Sequence, residues 1–253
     1  MKNVGQVLFA VTMIGLGILG FVTGDFAPMW QPVPLTWPAR VVLAYFCAGI
    51  SLASGVGLLS RRTTVVASRV LLGWLLAWLL LVRVPQMVLG FAVDTWWAAA
   101  EMAVLVGAAW VLYSQSSGLA TGEPGLRIAR ALYGLGLIPF GLAHFIYLDA
   151  TTVLIPGWLP GHVAWAYFTG AAFIAAGIGM LVGVWARLAA VLSVVMVGLF
   201  TLVVWVPIVL RGDVTPFHWH EFISSVTITV AGWVVAESYR GRPWLGRRSV
   251  AKA

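Results

Sequence analysis

Charge is what this chain lacks most. Of its 253 residues only 9% are charged, against about 25% in an ordinary soluble domain. That is too few to cover a water-facing surface or to track a phosphate backbone, so a soluble globular enzyme, a disordered chain and a nucleic-acid-binding protein are all excluded. Cysteine is nearly absent as well. The single Cys47 lies inside an apolar run, which rules out an internal disulfide and a C-x-x-C dithiol and suits a small buried packing residue. No G-x-x-x-x-G-K-[ST], G-x-S-x-G or H-E-x-x-H pattern occurs, so phosphate-loop, nucleophile-elbow and zincin chemistry have no sequence support.

What is present is apolar: 61% of the residues are hydrophobic. About 20 consecutive apolar residues span a hydrocarbon core of about 30 Å, and eight such runs can be marked: Val4 to Val22, Val41 to Leu59, Thr64 to Val84, Trp96 to Tyr113, Ala131 to Leu148, Val163 to Val182, Leu188 to Val209 and Phe222 to Ala236. The expected fold class is therefore an all-α membrane protein with the lipid bilayer as its first partner. The opening run follows Lys2 but has no small-x-small cleavage site, so it is expected to stay as a membrane helix rather than leave as a signal peptide.

The chain repeats itself. Pro38 to Pro85 matches Pro160 to Pro207 at a constant offset of about 122 residues, with Pro38, Tyr45, Phe46, Gly55, Gly57 and Pro85 falling on Pro160, Tyr167, Phe168, Gly177, Gly179 and Pro207. Ahead of it, Gly15, Gly17, Phe21 and Phe26 match Gly134, Gly136, Phe140 and Phe145 at an offset nearer 119. Two parallel four-helix units are expected, 1–113 and 127–238, joined by a linker at 114–126 and followed by a basic tail at 239–253. Four is even, so both units insert the same way round, unlike an inverted repeat.

The formal net charge of +7 serves as a topology signal. Lys2, Arg61, Arg62, Arg127, Arg130, Arg187, Arg240, Arg242, Arg247, Arg248 and Lys252 fall on one side, with Arg69 one turn inside, whereas only Arg40, Arg83 and Arg211 fall on the other. The positive-inside rule puts both termini in the cytoplasm of a bacterial-type inner membrane. Asp25, Asp94, Glu101, Asp149, Asp213 and Glu221 sort toward the opposite, outer face.

All four histidines gather at that outer face: His144 near the end of the fifth run, His162 before the sixth, His218 and His220 before the eighth. Eight of the fourteen tryptophans join them, including Trp158 and Trp165, as an interfacial belt would. In Pro216-Phe217-His218-Trp219-His220-Glu221, His218 and Glu221 share a helix face, while Ser225 and Thr229 continue the Glu221 line. His144, His162, His218, His220 and Glu221, with Tyr147, Trp158 and Trp165 around them, are the candidate ligand-binding set. A quinone or similar amphiphile fits aromatic walls with hydrogen-bonding and proton-transferring groups. Imidazole and carboxylate also suit a metal, though no recognised ligand spacing occurs, and a b-type haem lacks a histidine pair at mid-membrane depth. Capping and helix packing are the structural alternative for the same residues. In the first unit Asp25 corresponds to His144 and Arg40 to His162. Arg83 and Glu101 are expected to form an ion pair between adjacent helices, because an unpaired charge at that depth is expensive.

The series Gly141-Leu142-Ala143-His144-Phe145, then Ile155-Pro156-Gly157-Trp158-Leu159-Pro160, then Tyr167-Phe168-Thr169-Gly170 leading to Gly177-Ile178-Gly179, resembles the DoxX/DoxD-like membrane proteins. The resemblance covers most of 127–238 and, more faintly, 4–113. It implies a tandem duplication of the family's four-helix unit. It also implies a place beside redox complexes such as thiosulfate:quinone oxidoreductase, with a redox partner protein. Many relatives carry an acidic residue after the T-G segment where this chain has Phe173, so either Glu221 replaces it or the family's activity is absent. A non-enzymatic transporter or membrane scaffold is the rival expectation.

Overall fold

The computed structural model describes residues 4–27, 30–117, 122–212 and 214–246. Lys2, Asp213, Arg247, Arg248, Lys252 and the 118–121 part of the linker lie outside the described residues. Those described are mainly helical, with no strand. The helices are α1 (Val4–Thr23), α2 (Arg40–Leu58), α3 (Thr64–Gly90), α4 (Val93–Ser116), α5 (Gly122–Ile146), α6 (Leu148–Leu154), α7 (His162–Val182), α8 (Ala186–Leu210) and α9 (Pro216–Glu237).

Seven of these, all but α6 and α9, are long and apolar enough to cross a membrane. Their outward faces are apolar, with Val22, Leu81, Leu89 and Leu210 all more than three-quarters or about three-quarters exposed. In water such a surface would aggregate; in hydrocarbon it is the favourable one, and the backbone polar groups are satisfied within each helix. Helix α9 has the length, 22 residues, but His218, His220, Glu221, Ser224, Ser225, Thr227 and Thr229 dilute its apolar character.

Two spans pass straight through a proline, and the first continues beyond Val84, where it was expected to end. Pro85 and Pro207 each lack an N–H and clash with the carbonyl four residues earlier, which a regular α-helix cannot absorb. The preceding segments Leu79–Arg83 and Thr201–Trp205 widen into π-helical turns and the helices continue to Gly90 and Leu210. These two turns lie 122 residues apart, as do the starts of α3 and α8, so the repeat read from side chains is also a repeat of a backbone irregularity. At the centre of the chain α4 runs to Ser116 and α5 starts at Gly122, so both ends of the expected linker are helical. Helix α6 falls where a loop is expected.

Packing proceeds α1 on α2, α2 on α3 and α3 on α4, then α5 on α7, α7 on α8 and α8 on α9. The halves join crosswise. Helix α4 packs extensively on α5, α9 on α1, and α4 meets α9 in the middle. Helix α4 is the enclosed element, with Val104, Leu105, Val106, Ala108, Ala109 and Val111 fully buried. Close crossings rest on glycine: a Cβ on Gly55 would meet the Ala10 carbonyl oxygen at 2.7 Å, and one on Gly177 the Gly134 carbonyl oxygen at 2.5 Å.

The two ends of the bundle differ. At the basic end the Gly5 N–H donates to Glu237 Oε2 at 3.1 Å, so a carboxylate meets the N-terminal dipole of α1. Buried Arg130 donates to Ser238 Oγ at 2.9 Å, pairs with Glu123 at 3.2 Å and lies 4.4 Å over the Tyr239 ring. All four histidines lie toward the other end, on α5, α7 and α9.

Candidate functional site

His144 sits near the end of α5, half-buried, with Nδ1 2.8 Å from the Phe140 carbonyl oxygen. A carbonyl only accepts, so Nδ1 carries the proton. In the neutral ring Nε2 is then a lone-pair acceptor, and no hydrogen bond to it comes from the described residues. The imidazole packs 5.4 Å from the Phe173 ring and 6.2 Å from Phe200, themselves 6.1 Å apart, and Phe140 closes the group at 6.0 Å from Phe173. Three helices, α5, α7 and α8, thus build an aromatic wall around one open ring nitrogen.

The other histidines are placed differently. His218 is a cap: Thr215 Oγ1 accepts from the His218 N–H at 3.3 Å, while the Thr215 N–H donates to His218 Nδ1 at 3.4 Å, which satisfies two backbone donors at the start of α9. His220 is exposed and lines a cleft against the end of α1 with Leu16, Leu19, Gly20, Thr23, Asp25 and Phe26. It faces the first half of the chain, whereas His144 faces the second. His162 opens α7, half-buried. Tyr147, Trp158 and Trp165 are exposed, as interfacial belt residues are. The histidines thus share a level in the bundle without converging, and among the described residues no group of three His, Cys, Asp or Glu side chains could hold a metal ion.

A second polar group lies between α3, α4 and α9. Glu101 is 1% exposed, and its Oε1 accepts from Trp97 Nε1 at 3.1 Å and from Ser224 Oγ at 2.7 Å. Its Oε2 has no hydrogen-bond partner. Arg83, 7% exposed, donates from Nη1 to Gln86 Oε1 at 3.1 Å, and its Nε is likewise without a partner. The expected ion pair between Arg83 and Glu101 is therefore not made as a direct contact; each side chain is held by a nearby neutral group instead, Gln86 three residues on and Trp97 four residues back. Both Arg83 and Glu221 still act on Glu101 through space. Below this group Thr201 Oγ1 and Ser225 Oγ lie 2.7 Å apart, joining α8 to α9.

Phe140, Phe200, Trp97 and Gln86 were not expected as parts of either group. Trp97 and Glu101 are four apart on one helix, a spacing that brings side chains together, so that contact had a local signal. Phe140, Phe173 and Phe200 meet only through the tertiary fold. No family model, curated protein or solved structure matches the chain.

Proposed function

We propose that the chain is an eight-span membrane subunit built from two DoxX-like four-helix units, with both termini cytoplasmic, and that it binds a quinone or quinol near the outer face. The observation that carries this reading is His144: an imidazole fixed by its Nδ1 bond to Phe140, open at Nε2, and flanked by Phe173 and Phe200. An aromatic wall suits a flat ring. An accepting nitrogen suits a quinol hydroxyl, whose proton it can take as a general base. The apolar outer surfaces of α7 and α8 give a lipid-borne ligand an approach from the bilayer. Helix α9 is read as the eighth span because it packs on α1, α4 and α8, with Ser224, Ser225 and Thr227 buried against protein rather than lipid. The resemblance supports a redox setting with a partner protein that handles the electrons.

The test is extraction in mild detergent followed by mass spectrometry of copurified lipids, then quinol binding to the wild type and to His144→Ala. We expect a copurified quinone and a loss of at least about tenfold in affinity in the variant, the size of one charge-free hydrogen bond plus ring packing. Undiminished quinol binding by a folded His144→Ala protein would rule the reading out. A stable partner protein with no small molecule would favour a scaffold.

A further inference from the structure

The polar group around Glu101 has chemistry that the histidine site does not use. Its carboxyl is buried where α4 meets α9, in the contact between the two halves of the chain. Both donors on Oε1, Trp97 Nε1–H and Ser224 Oγ–H, are neutral, and among the described residues no cation sits within ion-pairing distance. Oε2 is bare. The titratable groups that face it are Arg83 from α3 and Glu221 from α9; none comes from α5, the remaining helix packed on α4.

An ionised carboxylate in that place would leave a charge without a contacting counter-ion, which costs far more than one unpaired neutral hydroxyl. A second carboxylate close by adds repulsion. Arg83 does not cancel this by contact, because its Nη1 is drawn to Gln86 and its buried Nε stays unpartnered. The asymmetry of the carboxyl, two donors on one oxygen and none on the other, is the pattern of a carboxylic acid whose hydroxyl is Oε2. Glu221 sits three residues before Ser224 on α9, one turn nearer the histidine-bearing end, and is only half-buried.

We propose that Glu101 is a proton-binding site, carrying a proton in the resting protein and exchanging it with the histidine-bearing face by way of Glu221. The exchanged species is the proton alone. It leaves the Glu101 carboxyl for the Glu221 carboxylate and then water, with Arg83 left facing the transient Glu101 carboxylate. This stands apart from the quinone reading, since it needs neither His144 nor a bound amphiphile.

Infrared spectroscopy of the full-length protein in lipid bilayers tests it. The wild type should show a carboxylic-acid carbonyl band near neutral pH that shifts on transfer to deuterated water, and Glu101→Gln should lose it. Glu101→Asp, which keeps a carboxyl should the glutamine variant misfold, should retain a band at a shifted frequency. Glu221→Gln should keep the Glu101 band but slow its deuterium shift. A band unchanged in a folded Glu101→Gln protein, or no acid band in the wild type, overturns the proton site. Deuterium exchange as fast in Glu221→Gln as in the wild type overturns the route.

Discussion

Asp25 and Arg40 in the first half of the chain align in sequence with His144 and His162 in the second, although Asp25 lies past the end of α1 and His144 within α5, and the two pairs are put to different use. Arg40 Nη2 lies 2.6 Å from Asp25 Oδ1, its Nε donates to the Val33 carbonyl at 3.4 Å, and its guanidinium lies 5.2 Å over the Phe26 ring. The pair ties the end of α1 to the start of α2. His144 makes no such tie to His162; it turns inward to Phe173 and Phe200 and leaves a ring nitrogen open. Deeper in the bundle the asymmetry reverses. Glu101 of α4 corresponds to Ile223 of α9 at the repeat offset, while Leu79 and Ala103 of the first half correspond to the hydroxyl pair Thr201 and Ser225 of the second. The π-helical turns and close-packed glycines recur at the repeat offset while the polar side chains at matching positions differ, and the open His144 and the bare Glu101 Oε2 stand out as groups the fold has not consumed.

The strongest way to break this comparison is at the shared frame itself. Gly55 and Gly177 are equivalent and both touch backbone oxygen, so valine at either should destabilise the protein by about 3 kcal/mol or more through overpacking against atoms that cannot move aside. Loss of folded protein on heating in detergent measures it, and equal losses at the two positions are expected. Gly15 and Gly134 are equivalent in sequence but not in space. A Cβ on Gly134 meets the Gly177 oxygen at 3.1 Å and Met180 Cβ at 3.2 Å, whereas one on Gly15 meets nothing within 4 Å. Alanine at Gly134 should cost about 1–2 kcal/mol, and alanine at Gly15 should be neutral or slightly stabilising through better helix propensity. A smaller effect of opposite sign separates the starts of α2 and α7. Ala39 holds a left-handed conformation with φ 56°, and its counterpart Gly161 holds φ 73°. That region costs an L-residue about 1–2 kcal/mol, so Ala39→Gly should stabilise and Gly161→Ala destabilise, each by about 1 kcal/mol after the unfolded-state entropy of glycine is counted. Thermal midpoints that move in the same direction would contradict the shared backbone.

The frame was legible because its signals are local. Proline, paired glycines and aromatic residues recur at offsets of about 119 to 122, and apolar runs mark most span ends to within two turns, α5 starting at Gly122, ahead of the expected Ala131. What periodicity could not show was how the chain treats Pro85 and Pro207. As breakers they end a helix, and only the packed bundle makes a π-turn and continuation the better outcome. Helix α6 was hidden by Asp149, Thr151 and Thr152, whose polarity resembles a loop. The site was legible in part. His144 stood out by residue type and depth, but Phe140, Phe173 and Phe200 come from three helices and no sequence spacing joins them. His218 shared a face with Glu221 on paper, yet the demand of unpaired N–H groups at the start of α9 claims its ring for a cap. Arg83 and Glu101 were matched by charge, and local neutral partners at three and four residues proved nearer than the opposite charge.

The least disruptive change bears most directly on why the halves diverged. Asp25→Asn removes the charge from the ion pair that ties the end of α1 to the start of α2. The side chains of Arg40 and Asp25 are 18% and 51% exposed, and an ion pair so placed contributes about 0–1 kcal/mol, less in high salt. Arg40 would keep the Val33 carbonyl and the face of Phe26. A loss below about 1 kcal/mol that shrinks further as salt is raised is therefore expected from thermal unfolding at low and high ionic strength. Such a result means that the first half gains little from its ion pair, so stability does not account for the different residues at the aligned positions of the second half. A loss above about 2 kcal/mol, unaffected by salt, would mean the pair anchors α1 to α2.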